Sequence, residues 1–453
     1  MKSFDNEQKN ALLKDYYVDK KTFLTVIIIS SSLILLTAVL IIILLTTSTN
    51  TLYENEEIIR GYIPVNSLTA KYYIEEANKP VLLYNNKYSY LIHTIRVDGE
   101  KINEVNNEYS FQSIGEHDVK LSFKKPLKTI DEFFIDCETL TEVNLANLTS
   151  EKIKNGSKMF YNCINLERVF FNNYDASYLT NISSMFYNCT SLSSVDLSNF
   201  NGENLKDISS LFYNCYNLSS ITFGSFYTRY VTNMSYLFYS CESLNEINMR
   251  FLTNNAQDMS HMFHGCNNLS SISLLLNTRN VIYMNNMFDG CQNISNINLN
   301  MDTDNVVNMS YMFNGCKNLE NLSFSISNLD NIEDMSYMFS DCEKINDIDL
   351  FNLNTTNLTN MSHMFNNCSN LINLNMTNFL TDNVYDMSYL LYNCQNLTFI
   401  DFSSFNTSQV NNSDNIFEGL SDNGTFIYDG NIFSENILSQ LPVNWIKNNI
   451  SEI

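Results

Sequence analysis

Residues 305–330 read NVVNMSYMFNGCKNLENLSFSISNLD, and the chain repeats this pattern from about residue 129 to about residue 420. In the first half of the unit, apolar residues are spaced as on one face of a helix, at Met309, Met312, Phe313 and Cys316. In the second half, LENLSF has the pattern Leu-x-x-Leu-x-Phe, in which Leu322 and Phe324 alternate with polar residues as in a strand. The pattern therefore predicts a short helix followed by a strand, with both burying their apolar sides in one narrow core.

The cysteines show how regular the repeat is. Successive cysteines are 25 or 26 residues apart, and the complete set is Cys137, Cys163, Cys189, Cys215, Cys241, Cys266, Cys291, Cys316, Cys342, Cys368 and Cys394. A fixed period of this length is typical of solenoids, in which each unit is stable only when it is stacked on its neighbours. We therefore predict an α/β solenoid, a stack of short helix–strand units, over residues 129–420. Asn305 and the asparagines at its position in other units are predicted N-caps of the helices.

The same cysteines are predicted to form a structural ladder of buried, reduced thiols. Leu420 stands where a twelfth cysteine would fall, which indicates a small apolar slot. Disulfides between neighbouring units and metal binding are the two alternatives, although no single unit supplies the several close ligands of a zinc site.

The remaining sequence divides into five parts. Residues 22–47 contain no charged side chain and are long enough to cross a hydrocarbon core of about 30 Å as a transmembrane helix. Lys20 and Lys21 precede this segment, so the positive-inside rule predicts a single-pass membrane protein with a cytoplasmic tail over 1–21 and extracellular or lumenal repeats. The other predicted parts are a stalk at 48–65, a small β-rich N-terminal cap at 66–128 and a C-terminal cap at 421–453.

Charge is distributed unevenly along the chain. Residues 1–128 carry 15 basic and 15 acidic side chains, whereas residues 129–453 carry 11 and 34. Such an acidic repeat region repels phosphate backbones, so we expect no nucleic-acid partner.

The solvent-facing positions of the predicted strands form a polar surface, which we call the strand face. Asparagine, serine and acidic residues there suit hydrogen bonding to a protein or glycan, although AT-rich codons would produce the same asparagine content without selection for binding. The predicted partner-binding residues are Glu142, Arg168, Phe170, Asp196, Glu246, Asn298, Asn321, Asp347, Asp349, Asn373, Phe399 and Asp401. Many repeats also contain Asn-x-Ser/Thr sequons, which predict a glycoprotein if the host glycosylates asparagine.

The unit seen in VVNMSYMFNGCKNLENLSF and LTNMSHMFNNCSNLINLNM resembles the repeats of the bacterial surface protein A-like leucine-rich-repeat family. This resemblance covers about two thirds of the chain and implies that the α/β stack is a leucine-rich-repeat-like solenoid. It also implies a surface protein associated with adhesion or host interaction. We therefore expect a membrane-anchored binding or adhesion protein, with a passive structural coat as the alternative. The resemblance brings no catalytic residues, and the sequence shows no nucleophile, phosphate-binding or metal motif, so we expect neither an enzyme nor a cofactor. The ligand and the oligomeric state stay open.

Overall fold

The computed structural model describes residues 66–452, except for 149–151, 173, 225, 248–251, 274–275, 327–328, 349 and 351–354. Residues Val65–Ile453 form one compact unit. The predicted cytoplasmic tail, transmembrane helix and stalk, at 1–21, 22–47 and 48–65, lie outside the described residues. Within the described part of the chain, no helix is both long and apolar enough to cross a membrane.

The described chain is a β-solenoid of about ten turns with a small antiparallel sheet at its N-terminal end. The N-terminal strands are β1 Ser67–Ile74, β2 Pro80–Leu82, β3 Ile92–Val97, β4 Glu100–Lys101, β5 Glu108–Ser110 and β6 Gly115–Phe123. The strands of the turns are β7 Leu140–Asn144, β8 Arg168–Phe170, β9 Ser194–Asp196, β10 Ser220–Thr222, β11 Ser271–Ser273, β12 Asn296–Met301, β13 Asn321–Ile326, β14 Asn373–Asn375 and β15 Phe399–Phe402. The C-terminal strands are β16 Thr425–Tyr428 and β17 Ile446–Asn449.

The predicted helix of each unit is wrong, and with it the assignment to an α/β solenoid. Isolated parallel bridges connect successive turns at one position, and we call this set the bridge ladder; it consists of Asn155, Asn181, Asp207, Asn233, Asp258, Tyr283, Asn308, Asp334, Asn360, Asp386 and Asn412. Between the bridge ladder and each cysteine, the described residues form tight turns. Across the described residues there is one α-helix, Glu435–Leu438, outside the repeats, together with short 3-10 helices at Asn86–Leu91 and Ile450–Glu452. The apolar spacing did predict burial correctly, because Met309, Met312, Phe313 and Cys316 are all inaccessible to solvent.

Two left-handed residues in every turn exclude an α-helix there. The residues five and one before the cysteine have positive φ, as at Lys158 (56°) and Asn162 (59°), whereas an α-helix needs φ near −63° throughout. Backbone hydrogen bonds run between turns instead: the Lys158 N–H donates to the Ser183 carbonyl and the Phe160 N–H to the Met185 carbonyl, each at 2.9 Å. The stack therefore satisfies backbone groups that a helix would have paired internally.

The predicted helix N-caps have a different role. Each of these asparagines donates its side-chain amide to a backbone carbonyl in the preceding turn, as Asn305 Nδ2 does to Arg279 O at 2.7 Å. The others that form this bond, at 2.6–2.9 Å, are Asn204, Asn255, Asn280, Asn331, Asn357 and Asn383. These hydrogen bonds connect neighbouring turns, and they give asparagine a structural role at this position of the repeat.

A column of stacked phenylalanines runs along the core. Consecutive rings lie 5.4–5.7 Å apart and within 13° of parallel, and the column consists of Phe134, Phe160, Phe186, Phe212, Phe238, Phe263, Phe288, Phe313, Phe339 and Phe365. All ten side chains are buried. Burial of one such side chain contributes about 1.5–3 kcal/mol, and aromatic pairing contributes about 0.5–1.5 kcal/mol more. The column therefore stabilises the stack together with the other buried apolar residues of the core.

Both ends of the solenoid are covered. At the N-terminal end β1 pairs antiparallel with β7, so the strand of the first turn is also paired on the side that faces away from β8. The region 66–128 is β-rich, and its β3–β4 hairpin turns at Asp98 and Gly99, both with positive φ. At the C-terminal end β16, the TFIY segment, is followed by β17 in parallel, and Trp445 is buried with its Nε1 donating to Ser421 O at 2.9 Å.

Candidate functional site

The eleven cysteines form a buried column with no disulfides. In every turn after the first, the thiol donates to the carbonyl of a column phenylalanine in the preceding turn, as Cys291 Sγ does to Phe263 O at 3.1 Å. The ten such bonds measure 2.9–3.2 Å. The column is thus a hydrogen-bonded part of the core as well as an apolar one.

Burial makes these thiols weak acids. Loss of solvation raises the pKa of Cys266 and of Cys394 to about 12, and it raises the pKa of the other nine as well. Because the thiolate is the nucleophile and the metal ligand, the folded column is inert towards both kinds of chemistry at neutral pH.

The strand face contains the residues that the sequence suggested for partner binding. Exposed among them are Arg168, Phe170, Asp196, Glu246, Asn298, Asn321, Asp347 and Asn373, whereas Glu142, Phe399 and Asp401 are half-buried. Asp349 lies outside the described residues. The turns align these positions in register, for example Asn373 beside Phe399 and Asn375 beside Asp401. Whether they bind a partner stays a prediction.

The strand face is not one continuous sheet, contrary to the simplest reading of the repeat. Among the described residues, β7–β8, β9–β10, β11–β13 and β14–β17 belong to separate sheets. Beside β10 the break leaves a shallow cleft lined by Ser219, Ser220, Ile221, Phe223, Leu244, Glu246 and Ile247. Arg168 Nε lies 3.1 Å from Glu142 Oε2 in the adjacent turn, so these two opposite charges on the strand face form a salt bridge with each other.

The sequons in the bridge ladder have a structural explanation. Asn233 Oδ1 accepts hydrogen bonds from both the backbone N–H and the hydroxyl of Ser235, at 3.0 and 2.7 Å. Asp258 makes the same pair of bonds with Ser260. Asn and Asp thus make the same local turn with the serine two residues later, and glycosylation at these asparagines stays a prediction.

Two histidines near the middle of the stack lie close to a buried carboxylate. The rings of His261 and His264 are 5.7 Å apart, and His264 Nδ1 lies 3.1 Å from Asp289 Oδ2. The two atoms lie close together but are not aligned for a hydrogen bond. Burial alone would raise the pKa of Asp289, but His264 and the amides of Asn314 and Asn286 lower it. Within the described residues, no three His, Cys, Asp or Glu side chains converge as a metal site.

Exposed aromatic residues of the repeats concentrate on a different surface. We define the outer edge as the positions 14 to 8 residues before each cysteine, for example 227–233 in the turn of Cys241. Among the described residues between 129 and 420, six of the nine exposed large hydrophobic residues lie there: Tyr178, Tyr227, Tyr230, Leu252, Tyr283 and Tyr385, each 40–49% exposed.

Four of these six, with two arginines, fill three consecutive turns. We call this set the Tyr–Arg patch; it consists of Tyr227, Arg229, Tyr230, Leu252, Arg279 and Tyr283. The Arg229 guanidinium lies 5.7 Å from the centre of the Tyr230 ring, a cation–π contact. With turns about 4.8 Å apart, the patch extends only about 10 Å between its outer turns.

The next two turns of the outer edge are acidic. We call this set the acidic patch; it consists of Asp302, Asp304, Asp330, Glu333 and Asp334. The edge segments that contain it, 302–308 and 328–334, have no basic residue. The outer edge therefore changes from aromatic and cationic to anionic between the turns of Cys291 and Cys316.

The repeats match a known family. The family described as "Mycoplasma protein of unknown function, DUF285" matches residues 128–251, 232–349 and 333–423, which together cover well over half of the chain. The chain belongs to the DUF285 family. No curated protein matches the chain.

Two solved structures resemble the DUF285 chain weakly. A chain of the TLR13–ssRNA13 complex is 14% identical with a TM-score of 0.26, over 68% of this chain and 43% of its own length. A chain of the Toll–Spatzle complex from Drosophila is 14% identical with a TM-score of 0.22, over 67% of this chain and 42% of its own. This chain thus spans less than half the length of either. Alignments at this level do not distinguish one repeat architecture from another.

Sequence reasoning about the DUF285 chain missed the Tyr–Arg patch. It looked for binding residues on the strands, because the alternation there separates inward from outward positions. The signal on the outer edge was a departure from the repeat: Tyr230 stands where most other units have asparagine, and Leu252 where Asn or Asp is common. Only the folded turns show that these departures are adjacent and exposed.

Proposed function

We propose that the chain is a surface binding protein whose Tyr–Arg patch engages a protein partner. The observation that carries this proposal is the placement of exposed Tyr227, Arg229 and Tyr230 in the turn of Cys241 and of exposed Arg279 and Tyr283 two turns later, with exposed Leu252 in the turn between them. Tyrosine and arginine are the residues most enriched among those that dominate binding energy at interfaces. Isolated exposed apolar residues are common on any protein, but a contiguous cluster marks an interaction site.

The chemistry of the patch suits a protein better than the other partner classes. An acidic protein surface would neutralise Arg229 and Arg279, and the tyrosine rings supply large contact areas at low cost in side-chain entropy. A glycan remains the alternative ligand, bound through the strand-face amides. The net charge of −23 opposes a nucleic-acid partner. The inert cysteine column and the structural use of the bridge-ladder residues support a binding role over an enzymatic one.

The proposal includes a location at the cell surface. It is supported by the uncharged segment 22–47 with Lys20 and Lys21 before it, which predicts a single-pass anchor with the repeats outside the cytoplasm. The resemblance of the repeat to the bacterial surface protein A-like family points to the same location and to adhesion.

Binding measurements with matched tyrosine variants test the proposal. The full-length chain in detergent is titrated against a panel of immobilised surface proteins and glycans, beside Tyr230→Ser and Tyr385→Ser. Tyr385 is a matched control because it is exposed to nearly the same extent on the same edge but lies outside the patch. We expect saturable protein binding that Tyr230→Ser weakens by about 30-fold, the equivalent of roughly 2 kcal/mol for an interface hot spot, and that Tyr385→Ser leaves unchanged.

The same measurements separate the alternatives. Loss of binding in Asp347→Ala, with none in Tyr230→Ser, would transfer the site to the strand face. A passive coat protein is the second candidate function, favoured by the amide and thiol bonds whose regular repetition serves stacking alone. Absence of saturable binding across the panel would support that candidate against ours.

A further inference from the structure

We propose that the protein partner of the Tyr–Arg patch inserts one aromatic side chain, a tyrosine or a tryptophan, into a gap in a column of stacked rings. This inference rests on the proposed function, because it names the chemistry by which the same partner is recognised. The gap lies at Asn286 in the turn of Cys291, three residues after Tyr283 of the Tyr–Arg patch.

The stacked rings belong to residues five positions before the cysteines. We call them the ring column; in six of the seven turns from Cys241 to Cys394 this residue is aromatic, and the members are Tyr236, His261, Tyr311, Tyr337, His363 and Tyr389. Consecutive rings lie 4.2–4.6 Å apart and within 9° of parallel, from Tyr236 to His261 and again from Tyr311 to Tyr389. In all seven turns the residue at this position has φ between 55° and 57°. The backbone therefore presents a side chain in the same way in every turn.

Asn286 interrupts the ring column. In the described part of the chain, His261 is stacked on a ring only on its Tyr236 side, and Tyr311 only on its Tyr337 side. With turns about 4.8 Å apart, the rings of His261 and Tyr311 are separated by about 10 Å, roughly twice the stacking distance. Both rings are half-buried, so the gap between them opens to solvent. One planar ring placed there would stack on both.

The Asn286 side chain does not take the place of a ring, because its own turn holds it. Its Nδ2 donates to Asp289 Oδ2 at 2.8 Å, and its Oδ1 accepts from Asn285 Nδ2 at 3.1 Å. An asparagine amide is also shorter than a phenol. It therefore does not reach the position that the outer part of a tyrosine ring takes in the turns of Cys241 and Cys316.

The charges around the gap favour a neutral ring over a cation. The buried Asp289 carboxylate already accepts hydrogen bonds from Asn286 and Asn314, and it lies beside His264. Burial, and to a lesser extent the nearby His264, lowers the pKa of His261, so its imidazole presents a neutral aromatic face at neutral pH. Stacked aromatic pairs are stabilising, and tyrosine and tryptophan are enriched at protein interfaces.

The size and position of the gap indicate that the ring belongs to a protein. A single ring between two others binds weakly by itself, with a dissociation constant on the order of 1 mM. The Tyr–Arg patch, which includes Tyr283 of the same turn, supplies the further contacts that a larger partner needs. Two contacts made by one partner strengthen each other, because the second is formed at high effective concentration.

Ring binding is measured first with a free probe, N-acetyltryptophanamide. Saturation-transfer NMR on the full-length chain in detergent compares the wild type with Asn286→Tyr and Asn286→Ser, and the micelles contribute equally to all three. Asn286→Tyr places a ring in the gap at a φ that four tyrosines of the ring column adopt, so it should raise the thermal transition and weaken probe binding at least ten-fold. Asn286→Ser is the matched control, because Ser184 and Ser210 occupy this position in earlier turns; it should bind the probe as the wild type does.

Two variants of the walls test the stacking itself. Tyr311→Ser removes one side of the gap and should weaken probe binding at least five-fold. Tyr389→Ser removes a ring at the far end of the same column and should leave it unchanged. The inference is overturned if the wild type gives no saturable signal, if Asn286→Tyr binds the probe as the wild type does, or if the two wall variants bind it equally.

The panel of immobilised proteins then connects the gap to the partner. Asn286→Tyr should weaken, by about ten-fold, the protein binding that Tyr230→Ser also weakens, whereas Asn286→Ser should retain it. Protein binding that depends on Tyr230 but is unchanged in Asn286→Tyr overturns this inference and retains the proposed function. Probe binding with no protein binding on the panel overturns both the proposed function and the protein as the source of the ring, and it leaves a free aromatic molecule as the ligand.

Discussion

At the scale of single residues, each cysteine after Cys137 combines burial with a hydrogen bond. It is fully buried, and it donates its thiol to a phenylalanine carbonyl of the preceding turn, as Cys291 shows. Serine would restore the donor but adds a more polar group to the core, and leucine, found at Leu420, removes the donor. This combination favours cysteine in the ten turns after the first.

The buried thiols predict a loss of stability in alkaline solution. The unfolded chain ionises its cysteines near pH 8.5, while burial holds the pKa of Cys266 and Cys394 at about 12 in the folded state. Since the unfolded state then binds fewer protons, the free energy of unfolding should fall above pH 8.5 by about 1.4 kcal/mol per pH unit for each thiol. Urea unfolding at several values between pH 7 and pH 10 measures this slope.

Thiol titration supplies the control for the alkaline experiment. At pH 8 a thiol reagent should label none of the cysteines in the native protein and all eleven in denaturant without reductant. Fewer than eleven labels would reveal disulfides. A free energy of unfolding that does not change between pH 8.5 and pH 10 would contradict the assignment of these residues as buried thiols in a folded column.

The sequence predicted the burial of these residues but not their hydrogen bonds. The same position of the repeat is Cys in eleven units and Leu420 in the last. Because both residue types are common in apolar cores, this position was predicted to be buried. The acceptor, however, belongs to a residue 28 or 29 positions earlier. Its orientation depends on how one turn lies on the next, which residue types alone do not specify.

At the scale of elements, the apolar spacing that suggested a helix turned out to belong to a compact turn. An α-helix places residues i, i+3, i+4 and i+7 on one side, and the compact turn seen here does the same. The distinguishing information was the residue one before the cysteine, which is Asn, Gly, Asp or Ser throughout the array and adopts positive φ in each turn. Asparagine, aspartate and glycine favour this conformation, so this phase was the available signal for a turn.

Two substitutions at Asn188 distinguish the turn from a helix. Its φ is 59°, and its side chain donates to Asn162 Oδ1 at 3.0 Å. Alanine and glycine both remove that bond, so the difference between them reports on the backbone alone. We expect Asn188→Gly to be about 1 kcal/mol more stable than Asn188→Ala, because glycine adopts positive φ without steric cost. In a helix the order would be reversed by about the same amount.

Chemical denaturation of the two Asn188 variants measures this difference. The corresponding pair at Asn172, an exposed residue of the repeats at which no positive φ occurs, is the control and should not show the same preference for glycine. Equal stability of Asn188→Gly and Asn188→Ala would mean that the left-handed conformation is not required at this position.

At the scale of the whole molecule, the repeat keeps every contact local to neighbouring turns. The bridge ladder shows this directly, because each of its members, from Asn155 to Asn412, forms its bridges with the ladder residues of the adjacent turns. The stability of such a stack is approximately a sum over turns and their interfaces. The regular period made the architecture predictable, whereas the Tyr–Arg patch was not, because it depends on which departures from the repeat become neighbours.

Deletion of one complete turn should therefore preserve both the fold and the binding surface. Removing residues 190–215 joins Cys189 to Tyr216 and deletes 26 residues, one period. The turn of Cys241 then stacks on that of Cys189 with the phenylalanine and cysteine columns in phase. We expect a cooperative transition, a β-rich circular dichroism spectrum and unchanged binding through Tyr230, since the Tyr–Arg patch lies entirely after the deletion. Removing residues 190–202, half a period, displaces every apolar position by half a turn and should abolish cooperative unfolding. If both deletions unfold alike, the turns are not interchangeable units.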